Sequence, residues 1–169
     1  GSLGGEDMIQ GKDKLFSYVI SVIENRDFYA EYHCEKVQRF TRILLEKVIR
    51  FCPDYKISEE DVEAICFAAM LHDVGKIVVP DRILHKAGRL DFNELEIMKN
   101  HTRKGRQIFE RLMKLIEKDS EEYALYECCA EVCMYHHERY DGDGYPLGLK
   151  GDEIPIAAQI VGLADAYDA

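Results

Sequence analysis

The spacing of apolar residues is the feature of this chain that most restricts its fold. Apolar side chains recur at intervals of three and four residues over most of the sequence, and the alternation typical of β-strands is nearly absent. Such spacing places the apolar side chains on one face of an α-helix. The sequence therefore predicts an all-α protein, a helical bundle in which the apolar stripes are buried together.

Helix-terminating residues divide this pattern into six main helices. Pro53 ends the second helix, Ser58 and Asp61 resemble a capping box at the start of the third, and Gly75 ends the third. The predicted helices cover about 13–25, 33–51, 58–73, 93–117 and 121–136, and the last begins after residue 155. The predicted inner faces of the first two are Leu15, Val19, Val22 and Ile23, and His33, Val37, Phe40, Leu44, Val48 and Phe51.

Length and charge exclude several classes of protein. A chain of 169 residues can bury one core, and it has no apolar run of the roughly 18 residues that a membrane span needs. The formal net charge of −10 opposes DNA or RNA binding. The six cysteines lack zinc-knuckle spacing and are expected to be reduced and mostly buried. Without a secretory signal, the expected compartment is the cytoplasm. Residues 1–10 are interpreted as a tag remnant or flexible N-terminus, and 11–169 as one domain.

Titratable residues interrupt the apolar stripes at corresponding places. Each of His33, His72, His101, His136 and Asp165 ends or interrupts a stripe on a different predicted helix, so a bundle brings them together at its centre. One such residue alone is more often a hydrogen-bonded core or surface residue. Five of them buried together would be costly without compensation, and a bound cation resolves this cost. The sequence therefore predicts a central metal site.

The adjacent pair His72 and Asp73 indicates a site for two metal ions. The imidazole can bind one ion while the carboxylate oxygens reach both, which predicts a bridged dinuclear centre. Two ions about 3.5–4 Å apart can clamp a phosphate and activate water, as phosphoester hydrolysis requires.

Several segments together resemble the HD-GYP family, a branch of the HD-domain metal-dependent phosphohydrolases. They are the HDxGK segment at 72–76, the segment 77–90, the helix that reaches His101, the HHExxDGxGYP signature at 136–146, Gly148–Leu149, Ile154–Pro155 and the ADxxDA segment at 164–169. The resemblance covers about 33–169. It implies an all-helical phosphodiesterase that opens cyclic di-GMP, or a related cyclic dinucleotide, to linear pGpG and in some members further to GMP.

The resemblance also implies roles for individual residues. One ion would be held by His33, His72, Asp73 and Asp165, and the second by Asp73, His101, His136 and His137, with Asp73 as the bridge. Family metals are usually iron and sometimes manganese. Lys76 matches the lysine that faces the substrate phosphate, and it is expected to act in catalysis together with Asp73. Gly144, Tyr145 and Pro146 match the lip beside the substrate; their other reading is a tight turn that orients His136 and His137.

Two departures from the family pattern qualify this resemblance. Some members hold a third metal with a glutamate one turn before the first histidine, where this chain has Tyr29, so two ions are expected. Family domains also continue beyond the position of Ala169 with an arginine-containing segment and closing helices. The chain is therefore expected to be truncated at its C-terminus, and a homodimer is one way to cover the surface left open. His85 lies outside the ligand pattern, and a turn or surface role is expected.

Two other functions stay open at this point. The first is a degenerate signalling module that binds nucleotide, or a partner such as a diguanylate cyclase, sensory domain or receiver domain, without turnover. The second is an HD-type phosphohydrolase of mononucleotides. The complete ligand set and Lys76 argue against the first, and the Gly-Tyr-Pro signature argues against the second.

Overall fold

A computed structural model of the chain describes residues 5–26 and 32–169, with side chains from Lys14 onward. Its helices are α1 (Gly5–Arg26), α2 (His33–Phe51), α3 (Glu59–Leu71), α4 (Asp81–Leu84), α5 (Phe92–Lys99), α6 (His101–Met113), α7 (Glu121–Tyr135) and α8 (Ile156–Asp168). Short 3-10 segments lie at Pro53–Tyr55, Val74–Val78 and Gly151–Glu153. No strand occurs within the described ranges, so the prediction of an all-α fold is confirmed.

The core lies where α3 and α7 meet the neighbouring helices. α3 packs against α2 and α7, α6 packs along α7, and α8 closes the bundle against α2 and α7. Fully buried side chains from these helices form a continuous apolar core, which includes Val37, Leu45, Ala68, Phe109, Val132 and Val161. The 3-10 segment after α3 packs against α6. This packing brings the ends of α3 and α7 to the same side of the core as the starts of α2 and α6.

Local signals set several helix ends where the sequence predicted them. The hydroxyl of Ser58 accepts a hydrogen bond from the Asp61 amide, and the Asp61 carboxylate accepts one from the Ser58 amide, so the capping box is confirmed. Pro53 follows directly after the C-cap of α2. Such caps satisfy backbone groups that lack a partner at a helix end.

The first two helices bury most of the predicted inner-face residues at least in part, but Leu15 and Phe51 are exposed. α1 starts at Gly5 rather than Asp13, which extends helix into the segment interpreted as a flexible N-terminus. Its buried side is formed by Ile20 and Ile23, with Phe16 half-buried, whereas Leu15 is 61% exposed.

In α2, Val37 is buried as predicted, and Phe40, Leu44 and Val48 are partly buried against the core. Its buried residues are Cys34, Val37, Thr41 and Leu45, while Phe51 is 66% exposed. α2 packs against α3 on one side and α8 on the other, and these contacts select which part of a broad apolar surface is covered.

The predicted fourth helix is two helices. α5 and α6 meet at Asn100, where ψ is −11°, and α6 ends at Met113 rather than Glu117. His101 therefore stands at the start of α6, where it is fully buried facing the core.

Gly75 allows the 3-10 segment after α3 to lie directly against α6. A Cβ atom at this position would collide with the carbonyl of His101 and the amide of Gly105. We expect Gly75→Ala to lower the free energy of unfolding by about 2 kcal/mol, because backbone rather than flexible side chains must move. Thermal or denaturant unfolding measures this loss.

Gly88→Ala serves as the control for this substitution. Gly88 has no atom within 4 Å of the added Cβ, and its only penalty is the positive φ of 102°, worth about 1 kcal/mol. Equal losses for the two variants would show that the contact with α6 tolerates a side chain.

The cysteines are in the state that the sequence predicts. All six thiols lie within the described residues and are free; four are buried, Cys128 is half-buried and Cys52 is exposed. Across the described part of the chain, no helix combines the length and apolar character needed to cross a membrane.

Candidate metal centre

Seven titratable side chains converge at the centre of the bundle, and all of them were named from the sequence. Their nitrogen and oxygen atoms form overlapping groups in which all members lie within 4.8 Å of one another. The groups are Asp73, His101, His136 and His137; His33, His72 and Asp73; and His72, His136 and Asp165. Asp73 belongs to two of these groups, one on each side of it.

Helix ends bring these residues together. His72 and Asp73 follow the last turn of α3, His136 and His137 follow α7, and His33 begins α2. His101 begins α6 and Asp165 lies on the inner side of α8. Neighbouring imidazole rings are separated by centroid distances of 4.1 to 5.5 Å. Since helix ends can aim consecutive side chains in different directions, two adjacent pairs contribute four of the donors.

The carboxylate of Asp73 lies at the middle of the cluster. Its Oδ1 atom is 3.2 Å from His101 Nε2 and 3.6 Å from His136 Nε2. Its Oδ2 atom is 3.4 Å from His72 Nε2 and 2.7 Å from Lys76 Nζ. The two oxygens thus face different histidines, as a carboxylate between two ions must.

Buried polar atoms without hydrogen-bond partners show whether these residues suit a metal ion. Of the three described side-chain atoms that are buried without a hydrogen-bond partner, Thr41 Oγ1, His72 Nε2 and Asp73 Oδ1, the last two belong to the cluster. Buried polar atoms in proteins are normally satisfied, because leaving one unpaired costs about 1–3 kcal/mol. Both atoms are good metal donors and point into the same cluster. The donor set therefore fits divalent cations.

Backbone carbonyls orient three of the histidines. The Nδ1 atom of His72 lies 2.6 Å from the Ala69 carbonyl, and that of His101 lies 2.7 Å from the Met98 carbonyl. His136 Nδ1 is 2.9 Å from the Val132 carbonyl. Because a carbonyl only accepts, each Nδ1 carries a proton, and in the neutral ring each Nε2 presents its lone pair to the cluster.

The electrostatic environment separates the two sides of the cluster. Burial lowers the pKa of His136, and burial together with His136 and His101 lowers the pKa of His137 to about 2, so both imidazoles are neutral. On the other side, burial opposes protonation of His72, but Asp73 and Asp165 outweigh it and raise its pKa to about 10. A proton and a metal ion therefore compete for His72 Nε2.

The carboxylates are held ionised. Burial would raise the pKa of Asp73, but Lys76 and His72 outweigh it and hold that pKa well below its ordinary value. Burial likewise opposes ionisation of Asp165, but the nearby imidazoles of His33 and His72 outweigh it and lower its pKa. Both aspartates thus present the charged form that a metal ion requires.

An arginine of α1 holds the segment that carries Lys76. The guanidinium of Arg26 donates to the carbonyls of Ile77 and Val79, each at 2.8 Å, and to the Asp81 carboxylate. His85 also meets the carbonyl of Arg26 through its Nε2 atom and is exposed, in keeping with the surface role expected for it. Lys76 is thereby fixed beside Asp73 from a helix remote in sequence.

The loop 138–149 folds around a buried carboxylate. Glu138 accepts hydrogen bonds from the amides of Leu147 at 2.6 Å and Leu149 at 2.9 Å. A side chain at Gly144 would collide with backbone of 137–139, so the loop closes tightly over the histidine pair. The ring of Tyr145 stacks on His137, with 4.7 Å between centroids and 21° between planes. These contacts support the orienting role of the loop.

We expect Glu138→Ala to loosen this loop. The amides of Leu147 and Leu149 would lose their acceptor, and a buried hydrogen bond to a charged group contributes about 1.5–3 kcal/mol. Hydrogen exchange of these two amides should accelerate by about tenfold or more. Glu138→Gln, which keeps one acceptor oxygen, should show a smaller change. Unchanged exchange in the alanine variant would mean that the loop is held by other contacts.

The family comparison decides what kind of domain carries this cluster. Residues 28–169 match the family described as HD domain, which includes every member of the cluster. The chain belongs to the HD-domain family. The resemblance drawn from the sequence is thereby confirmed.

Relatives of this HD domain carry related names. A protein of Vibrio cholerae named "probable cyclic di-GMP phosphodiesterase" is 37% identical over 160 residues, which is 94% of this chain and 35% of the relative. A cyclic di-GMP phosphodiesterase of Thermotoga maritima is 41% identical over 152 residues, 90% of this chain and 39% of the relative. A 3'3'-cGAMP-specific phosphodiesterase of V. cholerae is 37% identical, over 96% of this chain and 28% of the relative. The chain thus spans about a third of the length of these relatives.

Three residues with contacts to the HD-domain site had no role assigned from the sequence. They are Arg26, Glu138 and Asp168, the last of which lies 2.7 Å from His33 Nδ1. Glu138 lies in the HHExxDGxGYP signature and Asp168 in the ADxxDA segment, so their place in a family motif could have indicated a role in the site. Tyr29, the basis for expecting two ions, lies outside the described residues.

A cavity of about 1480 Å³ lies elsewhere, between α1, α3, α7 and the start of α8. None of the seven cluster residues lines it. Its described lining includes acidic residues and no Lys or Arg: Glu59, Glu60, Asp61, Glu63, Glu121, Glu122, Glu127 and Glu131. Such a surface repels phosphates.

Proposed function

We propose that this HD domain is a metal-dependent phosphodiesterase that opens cyclic di-GMP, or a related cyclic dinucleotide, to the linear dinucleotide pGpG and in part to GMP. The observation that carries this proposal is the pair of donor groups sharing Asp73, with Lys76 on the same carboxylate. The relatives named as phosphodiesterases of cyclic di-GMP and 3'3'-cGAMP support the substrate class.

The seven clustered residues would hold two metal ions. His33, His72, Asp73 and Asp165 serve one ion, and Asp73, His101, His136 and His137 serve the other. Five imidazoles and two carboxylates form a mixed nitrogen and oxygen set, which suits iron first and manganese as the alternative. When bound, the ions supply positive charge and activation of water for phosphoester hydrolysis.

The partly exposed residues mark the side from which substrate enters. The side chains of His72, His101 and His136 are 0 to 2% exposed, whereas those of His33, Lys76 and Asp165 are 17 to 21% exposed. A phosphodiester therefore approaches along His33, Asp165 and Lys76. The ammonium of Lys76 lies where it can neutralise charge that develops on the phosphate or assist the leaving oxygen.

The loop at Gly144–Pro146 forms the other border of this opening. Tyr145 is half-buried and stacked on His137, and Lys99 Nζ lies 5.5 Å from the centre of its ring. We propose that Gly144, Tyr145 and Pro146 contact the nucleotide, with glycine backbone able to approach a ligand closely. The same residues keep His137 in place, so the orienting and binding roles are compatible.

A product assay tests the proposal. The 169-residue chain, purified without oxygen and loaded with Fe²⁺ or Mn²⁺, is incubated with cyclic di-GMP, 3'3'-cGAMP or GMP, and products are separated by chromatography. We expect linear dinucleotide from a cyclic substrate, in proportion to bound metal. Binding of cyclic di-GMP without product at two ions per chain would identify a signalling module, and faster hydrolysis of GMP would identify a mononucleotide phosphohydrolase.

The cellular setting follows from this proposed activity. Because the chain spans only 35 to 39% of the length of these two relatives, we propose that this domain works beside a sensory or receiver domain, with a diguanylate cyclase as the opposing enzyme. The cytoplasm is the proposed compartment, and a homodimer is the proposed assembly.

A further inference from the structure

The Nδ1 atom of His33, which faces away from the cluster, has a different kind of partner from the Nδ1 atoms of the other oriented histidines. His72, His101 and His136 donate Nδ1–H to carbonyls three or four residues earlier. His33 is the first residue of α2 and follows Tyr32 in a left-handed conformation, so no preceding turn of its own helix offers a carbonyl. Another group has to orient this ring.

Asp168 fills that position from the neighbouring helix α8. Its Oδ2 atom lies 2.7 Å from His33 Nδ1, while Asp165 Oδ1 lies 3.1 Å from His33 Nε2. Asp165 and Asp168 are three residues apart and share one face of α8. One helix therefore contacts both nitrogens of the ring, the inner one through a proposed metal ligand and the outer one through Asp168.

The surroundings of Asp168 distinguish this contact from a surface ion pair. Its side chain is only 11% exposed, although it lies in the last turn of α8. Its other oxygen is 3.6 Å from Lys36 Nζ on α2. Since surface ion pairs contribute little to stability, a largely buried carboxylate held between two groups of α2 indicates a positioning function.

We propose that Asp168 is a positioning residue that accepts the Nδ1 proton of His33 and so directs the Nε2 lone pair of His33 towards His72, Asp73 and Asp165. The effect on metal binding rests on the proposed metal centre. A carboxylate behind a ligand histidine fixes the tautomer and makes the ligand more basic. Among the histidines of the described cluster whose Nδ1 partner is seen, only His33 has a carboxylate there. The ion that His33 would hold should therefore depend on Asp168. The ion that His101, His136 and His137 would hold should not.

Metal titration of three variants tests this dependence. We expect Asp168→Ala to weaken one of two Mn²⁺ sites by about 10- to 100-fold and to leave the other unchanged. Asp168→Asn should lose less, because its amide oxygen still accepts the Nδ1 proton. Lys36→Gln, which removes only the other partner of Asp168, should bind both ions normally. Equal weakening of both sites, or of neither, would overturn the proposal.

The tautomer of His33 gives a second measurement that needs no metal. In metal-free protein at a pH that leaves His33 neutral, long-range proton–nitrogen NMR spectra should show the proton on Nδ1. In Asp168→Ala it should move to Nε2, where Asp165 can accept it. An Nε2 proton already present in the unsubstituted chain would overturn the proposal. If the unsubstituted chain bound no metal, the metal centre would be wrong, and the NMR result would still decide the role of Asp168.

Discussion

Asp73→Ala is expected to leave the protein without either metal ion and to lower turnover of cyclic di-GMP more than about 1000-fold. Removing a single preorganised electrostatic group from an active site already costs about 100- to 1000-fold, and this substitution removes the group shared by both donor sets. Asp73 also faces His72, His101 and His136 within 3.6 Å, so its removal affects histidines of both donor groups.

Elemental analysis after reconstitution with iron or manganese measures this effect. His101→Ala is the informative comparison, since His101 belongs to one donor group and should cost mainly one ion. Asp73→Asn keeps the shape of the side chain and separates loss of charge from loss of packing. Asp54→Ala, an exposed aspartate, should retain both ions. A full-affinity ion in Asp73→Ala would show that Asp73 is not the bridge.

Lys76→Ala is expected to lower turnover about a hundredfold or more while the metal content stays the same. Lys76 Nζ lies 2.7 Å from Asp73 Oδ2, an oxygen that a metal ion would also use. Removing the ammonium takes away a competing cation from that oxygen, so metal affinity should hold or rise. The ammonium is nevertheless placed at the open side of the cluster, along which the proposed substrate approaches.

Parallel measurement of rate and metal content separates the two possible roles of Lys76. Lys76→Arg keeps the positive charge and should recover part of the rate, while Lys47→Ala, on the exposed face of α2, should change neither quantity. Loss of metal together with activity in Lys76→Ala would mean that the lysine is structural. The rates must be compared at equal metal occupancy, because oxidation of iron alone lowers activity.

Periodicity and capping residues predicted much of the secondary structure because these signals are local. The Ser58–Asp61 capping box and the start of α7 at Glu121 depend on residues within one helical turn. The burial of Leu15 and Phe51 was wrong for a different reason. Each belongs to an apolar surface wider than the contact, and the neighbouring helices choose the part that is covered.

Most of the residues that form the site could also be predicted from the sequence. Histidines and aspartates at the ends of apolar stripes must meet when those stripes pack, because each stripe faces the same core. The structure brings together the five residues named in this way, and it adds Asp73, named from its pairing with His72, and His137, named only from the family resemblance. It adds the bend at Asn100, which puts His101 at a helix start, and the direct contact of Gly75 with α6.

The sequence by itself thus determined an all-α bundle and most residues of the central cluster, since helical period and residue chemistry are properties of short segments. Only the tertiary structure decided how those residues are held. Arg26 reaches a segment more than 50 residues away, and Asp168 reaches His33 across 135 residues. No periodic signal links such positions. Their contacts exist because α1 and α8 pack against the same core, and packing sets distances that sequence spacing does not contain.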